Sequence, residues 1–277
     1  MEGTDKYMYK IYKTLILIIL ILIPILLLSC NQRTSVQNQD NNINDNILIE
    51  DLTGKVFDEF IKSKHFEIYY EKNNLSSEIY AKNFLHELED NYNRILNFFN
   101  LKEDSIPIVK IYLYSNYEEF RNSIFEEVSF DVTITNVTGY TLGPSKFYLA
   151  YRNDRNITIT AIHEFVHCVT FNSLNTELIP SWLGEGIAMY LSQDSDKYIE
   201  YYPSFAENGL PSHYELNDYD NRYIYGYSLV EYIYVEFGKE KLLELLRGGN
   251  IYDILKISEK DFSEGWRSYI INVLQNV

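Results

Sequence analysis

Residues 163–167 read His-Glu-Phe-Val-His, and this spacing leaves the segment few structures to adopt. In an α-helix, residues i and i+4 lie on one face a turn apart, so both imidazoles can point at one metal ion. The adjacent glutamate can reach a water at that metal without binding the metal itself. The segment therefore predicts a helix in which His163 and His167 are metal ligands and Glu164 is the catalytic base.

A catalytic zinc site needs three protein ligands and an open position. A glycine at 170 and a histidine at 173 would complete one known arrangement, but the chain has Thr170 and Ser173, which excludes it. The better candidate is Glu185, on a second predicted helix that a loop of about seven residues can bring back to the first. We therefore predict one Zn²⁺ per chain, with Glu185 as third ligand.

Two glycines lie beside this acid within a predicted helix, where glycine is unfavourable. Gly184 and Gly186 flank Glu185, and glycine inside a helix costs about 1 kcal/mol relative to alanine. A close backbone approach around the metal would explain them. The alternative interpretation is a turn that contains an acid.

The N-terminal segment has the composition of a secretion signal. Lys6, Lys10 and Lys13 precede an apolar run over residues 14–28. This run is short for a spanning helix, which needs about 20 residues, and Pro24 interrupts it. A basic region followed by a short apolar region is typical of a signal peptide.

The apolar run ends in Leu-Leu-Ser-Cys, which resembles the bacterial lipobox. The resemblance implies a signal peptide over residues 1–29, cleaved before Cys30, and a lipid on the Cys30 sulfur. Residues 31–46 lack aromatic side chains and predict a flexible tether. We expect residues 30–48 to anchor a domain, residues 49–277, to the extracytoplasmic face of the cell membrane. The alternative is an uncleaved signal anchor.

The charge of the chain restricts its partners. The formal net charge is −16, and such a surface repels phosphate backbones. We therefore expect no nucleic-acid partner. The expected partners are a peptide or protein substrate and, through the lipid on Cys30, the membrane; we expect a monomer.

Sequence patterns divide the domain into an α+β half, about 49–173, and a helical half, about 174–277. Residues 65–71 and 107–114 predict strands, and residues 134–151 predict a hairpin whose second strand is 146–151. Apolar periodicity predicts the helices, which are 76–99, 116–125, 156–173, 180–192, 223–237, 239–247 and 259–275.

The metal-binding segment and residues 180–190, Pro-Ser-Trp-Leu-Gly-Glu-Gly-Ile-Ala-Met-Tyr, together resemble the peptidase MA-like gluzincin domains, relatives of thermolysin. The resemblance implies that His163, His167 and Glu185 bind zinc and that Glu164 serves as general base and acid in peptide hydrolysis. It also implies an α+β, thermolysin-like zincin fold, with a small N-terminal mixed sheet, the active helix and a mostly helical C-terminal half.

A further similarity is the Tyr-x-x-Gly-x-Ser pattern that begins at residue 223. Gluzincins often use a tyrosine or histidine near this position to hydrogen-bond the oxyanion, so the resemblance implies Tyr223 as a catalytic residue. Tyr225 and Tyr227 are close alternatives, and His213 is a further conceivable donor. The chain departs from thermolysin at Met189, where thermolysin-like enzymes carry an acid that orients a ligand histidine. Another acid must take this role, or the metal is held more weakly.

The predicted reaction is zinc-dependent hydrolysis of a peptide bond, with Glu164 activating a water at the zinc. We expect the strand at 146–151 to pair with an extended substrate. Two alternatives stay open. One is a zinc-binding surface lipoprotein that uses the same fold to bind a partner without cleaving it. The other is a solute-binding or adhesion lipoprotein without a metal.

Overall fold

The computed structural model describes residues 49–50, 55–72, 75–128, 137–152, 156–194, 199–212 and 215–276. These residues belong to one compact unit, Asn46–Val277. The predicted signal peptide, Cys30, the tether up to residue 48 and His213 lie outside the described residues. Within the described part of the chain, no helix combines the length and the apolar character needed to cross a bilayer.

Short strands pair ahead of a five-stranded mixed sheet. The first two, β1 (Ile49–Glu50) and β2 (Val56–Phe57), pair antiparallel with each other. In the larger sheet the three central strands run parallel, and each edge strand is antiparallel to its neighbour. The spatial order of that sheet is β3 (Glu59–Lys62), β4 (Phe66–Tyr70), β5 (Val109–Tyr114), β7 (Lys146–Ala150) and β6 (Gly139–Thr141).

Helices alternate with the strands at first and then follow one another. No strand is described after Ala150. In chain order the helices are α1 (Leu75–Phe98), α2 (Tyr117–Val128), α3 (Ile157–Ser173), α4 (Ser181–Ser192), α5 (Tyr202–Asn208), α6 (Tyr219–Phe237), α7 (Lys239–Leu246), α8 (Ile251–Leu255) and α9 (Glu259–Asn276).

The alternation of side chains along the strands gives the sheet two buried faces. On one face, aliphatic and phenylalanine side chains such as Ile68 and Ile111 join the main core with α1 and α3. On the other face, Tyr69, Tyr112 and Tyr148 stack across neighbouring strands, with ring centroids 5.2 Å apart in each pair. Buried residues of β2 and α2 cover this second face.

This architecture confirms the predicted α+β class with a small mixed sheet. The predicted strands and helices are present with boundaries shifted by a few residues, and α6 begins at Tyr219 rather than at residue 223. Residues 220–222 in its first turn are polar, so the apolar periodicity did not reveal that turn. The short elements β1, β2, β3, α5 and α8 were not predicted, because so few residues carry little periodic signal.

A pair of glycines lets α4 and α6 cross in backbone contact. A Cβ added to Gly186 would lie 2.4 Å from the carbonyl oxygen of Gly226, and one added to Gly226 would lie 2.6 Å from the carbonyl oxygen of Trp182. The close backbone approach suggested for the two glycines is therefore present at Gly186, but it is made with α6 and not around the metal cluster, and neither glycine lies in a turn. At Gly184 a Cβ would meet Ile179 at an ordinary 3.8 Å.

We expect Gly186→Ala to lower the free energy of unfolding by about 1–3 kcal/mol, because the added methyl overpacks the helix crossing. Gly184→Ala is the matched control on the same helix. It should raise the free energy of unfolding by about 0.5–1 kcal/mol, because alanine is the better helix former. Urea unfolding followed by circular dichroism measures both, and equal effects would contradict the assigned crossing.

Candidate metal centre

Helix α3 carries the two histidines on one face, and a different face of the same helix packs into the core. Asn156 caps its first turn by accepting hydrogen bonds from two backbone N–H groups. Phe165, from the middle of the metal-binding segment, is fully buried. Its ring packs edge-on against Phe66 of β4 and stacks on Tyr92 of α1, with centroid distances of 5.0 and 5.4 Å. This packing fixes the rotation of α3 and so the direction of the histidines.

The side chains of His163, His167 and Glu185 converge. The Nε2 atoms of the two imidazoles are 3.1 Å apart. The Oε2 atom of Glu185 lies 3.2 Å from Nε2 of His163 and 3.4 Å from Nε2 of His167. Since α3 supplies both histidines and α4 supplies the glutamate, the two helices together form a cluster that could hold a metal ion.

Burial and neighbouring charges act in opposite directions on this cluster. Burial alone would raise the pKa of Glu185, but the imidazoles of His167 and His163 hold it far below its ordinary value. Burial alone would lower the pKa of His167, but the Glu185 carboxylate raises it. Glu185 is therefore ionised at neutral pH and presents a negative oxygen to any cation in the cluster.

Glu164 is buried beneath the edge strand β6. The Thr141 hydroxyl lies 2.7 Å from its Oε2 atom and 2.9 Å from its backbone carbonyl oxygen, and can donate to either. A Cβ on Gly139 would lie 2.6 Å from Oε1 of Glu164, so a side chain at this position would displace the carboxylate. Burial raises the pKa of Glu164, and the charges of His163 and His167 oppose that rise.

A cleft of about 440 Å³ opens over the cluster. The two histidines, Glu164 and Glu185 are among its lining residues. The lining residues outside this cluster are Ile124, Val137, Gly139, Tyr140, Thr141, Thr170, Phe171, Thr176, Ile179, Ser181, Gly184, Tyr219, Arg222 and Tyr223. The volume is within the range of small-molecule and peptide-binding clefts.

Of the three tyrosines left open by the sequence, Tyr223 lines this cleft. Tyr225 instead stacks on Phe205, with centroids 4.4 Å apart. Tyr227 is buried, and its hydroxyl donates to Oε1 of Glu231 at 3.1 Å. Burial raises the pKa of Tyr223 well above its ordinary value. Its hydroxyl therefore keeps its proton at neutral pH and can donate it in a hydrogen bond.

The replacement acid expected for Met189 is not found in the described part of the chain. Met189 is fully buried beside Tyr227. Among described acids, Glu185 alone lies within ion-pair distance of either imidazole. Of the two sequence-based expectations, the one that remains is a metal held more weakly.

The expected role of the strand at 146–151 was wrong. This strand, β7, pairs with β5 on one side and with β6 on the other, so both of its edges are already used. In the described sheet the free edge beside the cleft belongs to β6. The order of strands follows from contacts between distant residues, which strand patterns do not encode.

Most lining residues of this cleft were not predicted from the sequence, and among them are Gly139, Thr141, Tyr219 and Arg222. Gly139 falls in the predicted hairpin, residues 134–151, and the structure places it within β6. Its contact with Glu164 joins residues 25 positions apart, and no spacing rule signals such a contact. The one available signal was Arg222, a lone basic residue directly before the proposed Tyr223.

Comparison with protein-family models gave no match, and comparison with curated proteins found no similar sequence. The interpretation of this centre therefore depends on its residues and their geometry.

We expect the purified protein to bind one equivalent of Zn²⁺ and His167→Ala to lose most of this affinity, because two remaining ligands no longer enclose the ion. At zinc concentrations of about a hundred times Kd, binding should stabilise the wild type by about 2.7 kcal/mol. Thermal unfolding and elemental analysis report both effects. His86→Ala, at an exposed position on α1, is the control. Undiminished binding by His167→Ala would exclude this centre.

Proposed function

We propose that this protein is a zinc metallopeptidase of the gluzincin type, with His163, His167 and Glu185 as ligands. The supporting observation is the spacing of the three ligating atoms, 3.1–3.4 Å. Zinc bonds of about 2.0–2.2 Å at tetrahedral angles separate ligand atoms by about 3.4 Å. Two imidazoles and one carboxylate are also the donor set of known catalytic zinc sites. A small sheet ahead of the active helix and helices after it are compatible with a thermolysin-like architecture.

A bound zinc ion would acidify a water molecule and polarise the substrate carbonyl. Glu164 accepts the proton of the attacking water and later delivers it to the leaving amine. Its raised pKa suits a group that must both take up and release a proton near neutral pH. The Tyr223 hydroxyl donates a hydrogen bond to the carbonyl oxygen as negative charge develops there.

The edge strand β6 is the proposed docking site for the substrate backbone. Its three residues, Gly139–Thr141, border the cleft. An extended peptide that adds to this edge would gain backbone hydrogen bonds regardless of its side chains. The same strand contacts Glu164 through Thr141, so the proposed base and the peptide backbone are positioned by one element.

The proposed setting is the extracytoplasmic face of the cell membrane, where the lipid on Cys30 would anchor a monomeric enzyme beside its peptide or protein substrates. A protein that held zinc only to bind a partner would have no chemical use for Glu164. The burial of this carboxylate and its contacts with β6 therefore favour catalysis over the non-proteolytic alternative.

Replacing Glu164 separates metal binding from catalysis. We expect Glu164→Gln to keep its zinc and to lose peptide cleavage by about 10²- to 10⁴-fold, because an amide cannot take up the proton. Elemental analysis and cleavage of a mixed peptide library, read by mass spectrometry, measure the two properties. The exposed Glu177→Gln controls for the loss of one acidic group. Normal activity in the Glu164→Gln variant would remove the assigned role.

For Tyr223→Phe we expect kcat to fall by about 10²- to 10³-fold with little change in KM, because the lost hydrogen bond acts on the developing oxyanion. Tyr225→Phe removes a hydroxyl from the same helix outside the cleft and should leave kcat near the wild-type value. Steady-state kinetics on one peptide distinguish the two. Similar kcat values for both variants would assign the oxyanion donor elsewhere.

A further inference from the structure

Arg222, on α6, brings a permanent positive charge into the cleft. Among the described residues that line the cleft, it is the single arginine or lysine. Its Nε atom is buried and has no hydrogen-bond partner, and no described carboxylate forms an ion pair with it. The chain has 40 acidic residues, yet none of those described lies within ion-pair distance of this guanidinium. A buried guanidinium nitrogen without a hydrogen-bond partner costs stability, so its presence in this cleft points to a ligand.

Two tyrosines hold the guanidinium in place. Its central carbon lies 4.5 Å from the ring centroid of Tyr219 and 5.0 Å from that of Tyr223. The two rings, which also contact each other edge-on at 5.4 Å, orient the planar cation through its attraction to their faces. Because the rings are neutral, the charge stays available to an anion.

The position of Arg222 relates it to the proposed reaction. It directly precedes Tyr223, the proposed oxyanion donor, and both line the same cleft as His163, His167 and Glu185. Burial and the Glu185 charge raise the pKa of Tyr223, and the Arg222 charge opposes that rise. A cleft of about 440 Å³ holds only a short stretch of peptide, so a substrate at the metal cluster also comes within reach of Arg222.

We propose that Arg222 is a specificity-determining residue that binds a carboxylate of the substrate next to the cleaved bond. The proposal rests on the peptidase function proposed above and names its substrate class. A guanidinium offers paired N–H donors that match the two oxygens of a carboxylate. This carboxylate has two possible sources: an aspartate or glutamate side chain beside the cleaved bond, or the free C-terminus of a peptide, which would make the enzyme a carboxypeptidase.

Two pairs of synthetic peptides test the proposal on the full-length, zinc-loaded protein in detergent. The first pair is C-terminally amidated and differs by Glu or Gln beside the cleaved bond. The second pair is neutral in its side chains and ends in a free acid or an amide. We expect the wild type to prefer the carboxylate member of one pair by about 10- to 100-fold in kcat/KM, and the pair that shows the preference identifies the source.

The variants then assign the preference to one residue. Arg222→Met keeps the apolar stem between the tyrosines and should bring the ratio close to one, whereas Arg222→Lys should retain part of it. Arg247→Met, which removes one positive charge from an exposed position after α7, should keep the wild-type ratio. Zinc content and circular dichroism verify that each variant folds.

The proposal would be overturned by a wild type that cleaves both members of each pair equally. It would also be overturned by an Arg222→Met variant that keeps the wild-type ratio, whether its kcat/KM is unchanged for both peptides or reduced equally for both. The first needs no variant and so does not depend on folding. Failure of the peptidase function itself looks different, because the zinc-loaded wild type would then cleave no peptide in a mixed library.

Discussion

The packing of Phe165 between Phe66 and Tyr92 determines where the histidines of α3 point. The ring occupies the core on one side of the helix, and the spacing of the segment then turns His163 and His167 to the cleft. Glu185 meets them because α4 is fixed from its other side by the glycine crossing with α6. The packing of α3 and α4 thus brings three donor atoms within 3.4 Å of one another, in a cluster that could hold a metal ion.

The sequence could predict those parts of the site that depend on local spacing, but not those that depend on how helices pack. The placement of His163, His167 and Glu164 on one helical turn is a local property, so spacing was sufficient. The prediction of Glu185 required a second helix that packs back against α3. The glutamate with its neighbouring glycines supported that prediction. The choice among Tyr223, Tyr225 and Tyr227 depends on the rotation of α6, which the contact at Gly226 sets. No local pattern records that rotation.

The sheet, too, could be predicted only in part from the sequence. The central strands were predicted because their apolar alternation is strong, and the structure places their tyrosines and aliphatic residues on opposite faces. The order of the strands was not predictable, and with it the identity of the strand beside the cleft. The contacts that β6 makes with α3, through Gly139 and Thr141, join segments that are more than 20 residues apart and differ in secondary structure.

The contact at Gly139 has a consequence for related chains. A hydrogen atom is all that fits between β6 and the carboxylate of Glu164. A homologue with alanine or a larger residue here would have to displace that carboxylate while its three metal-binding side chains stayed in place. Under the proposed mechanism, such a chain would lose the position of its base even with His163, His167 and Glu185 unchanged.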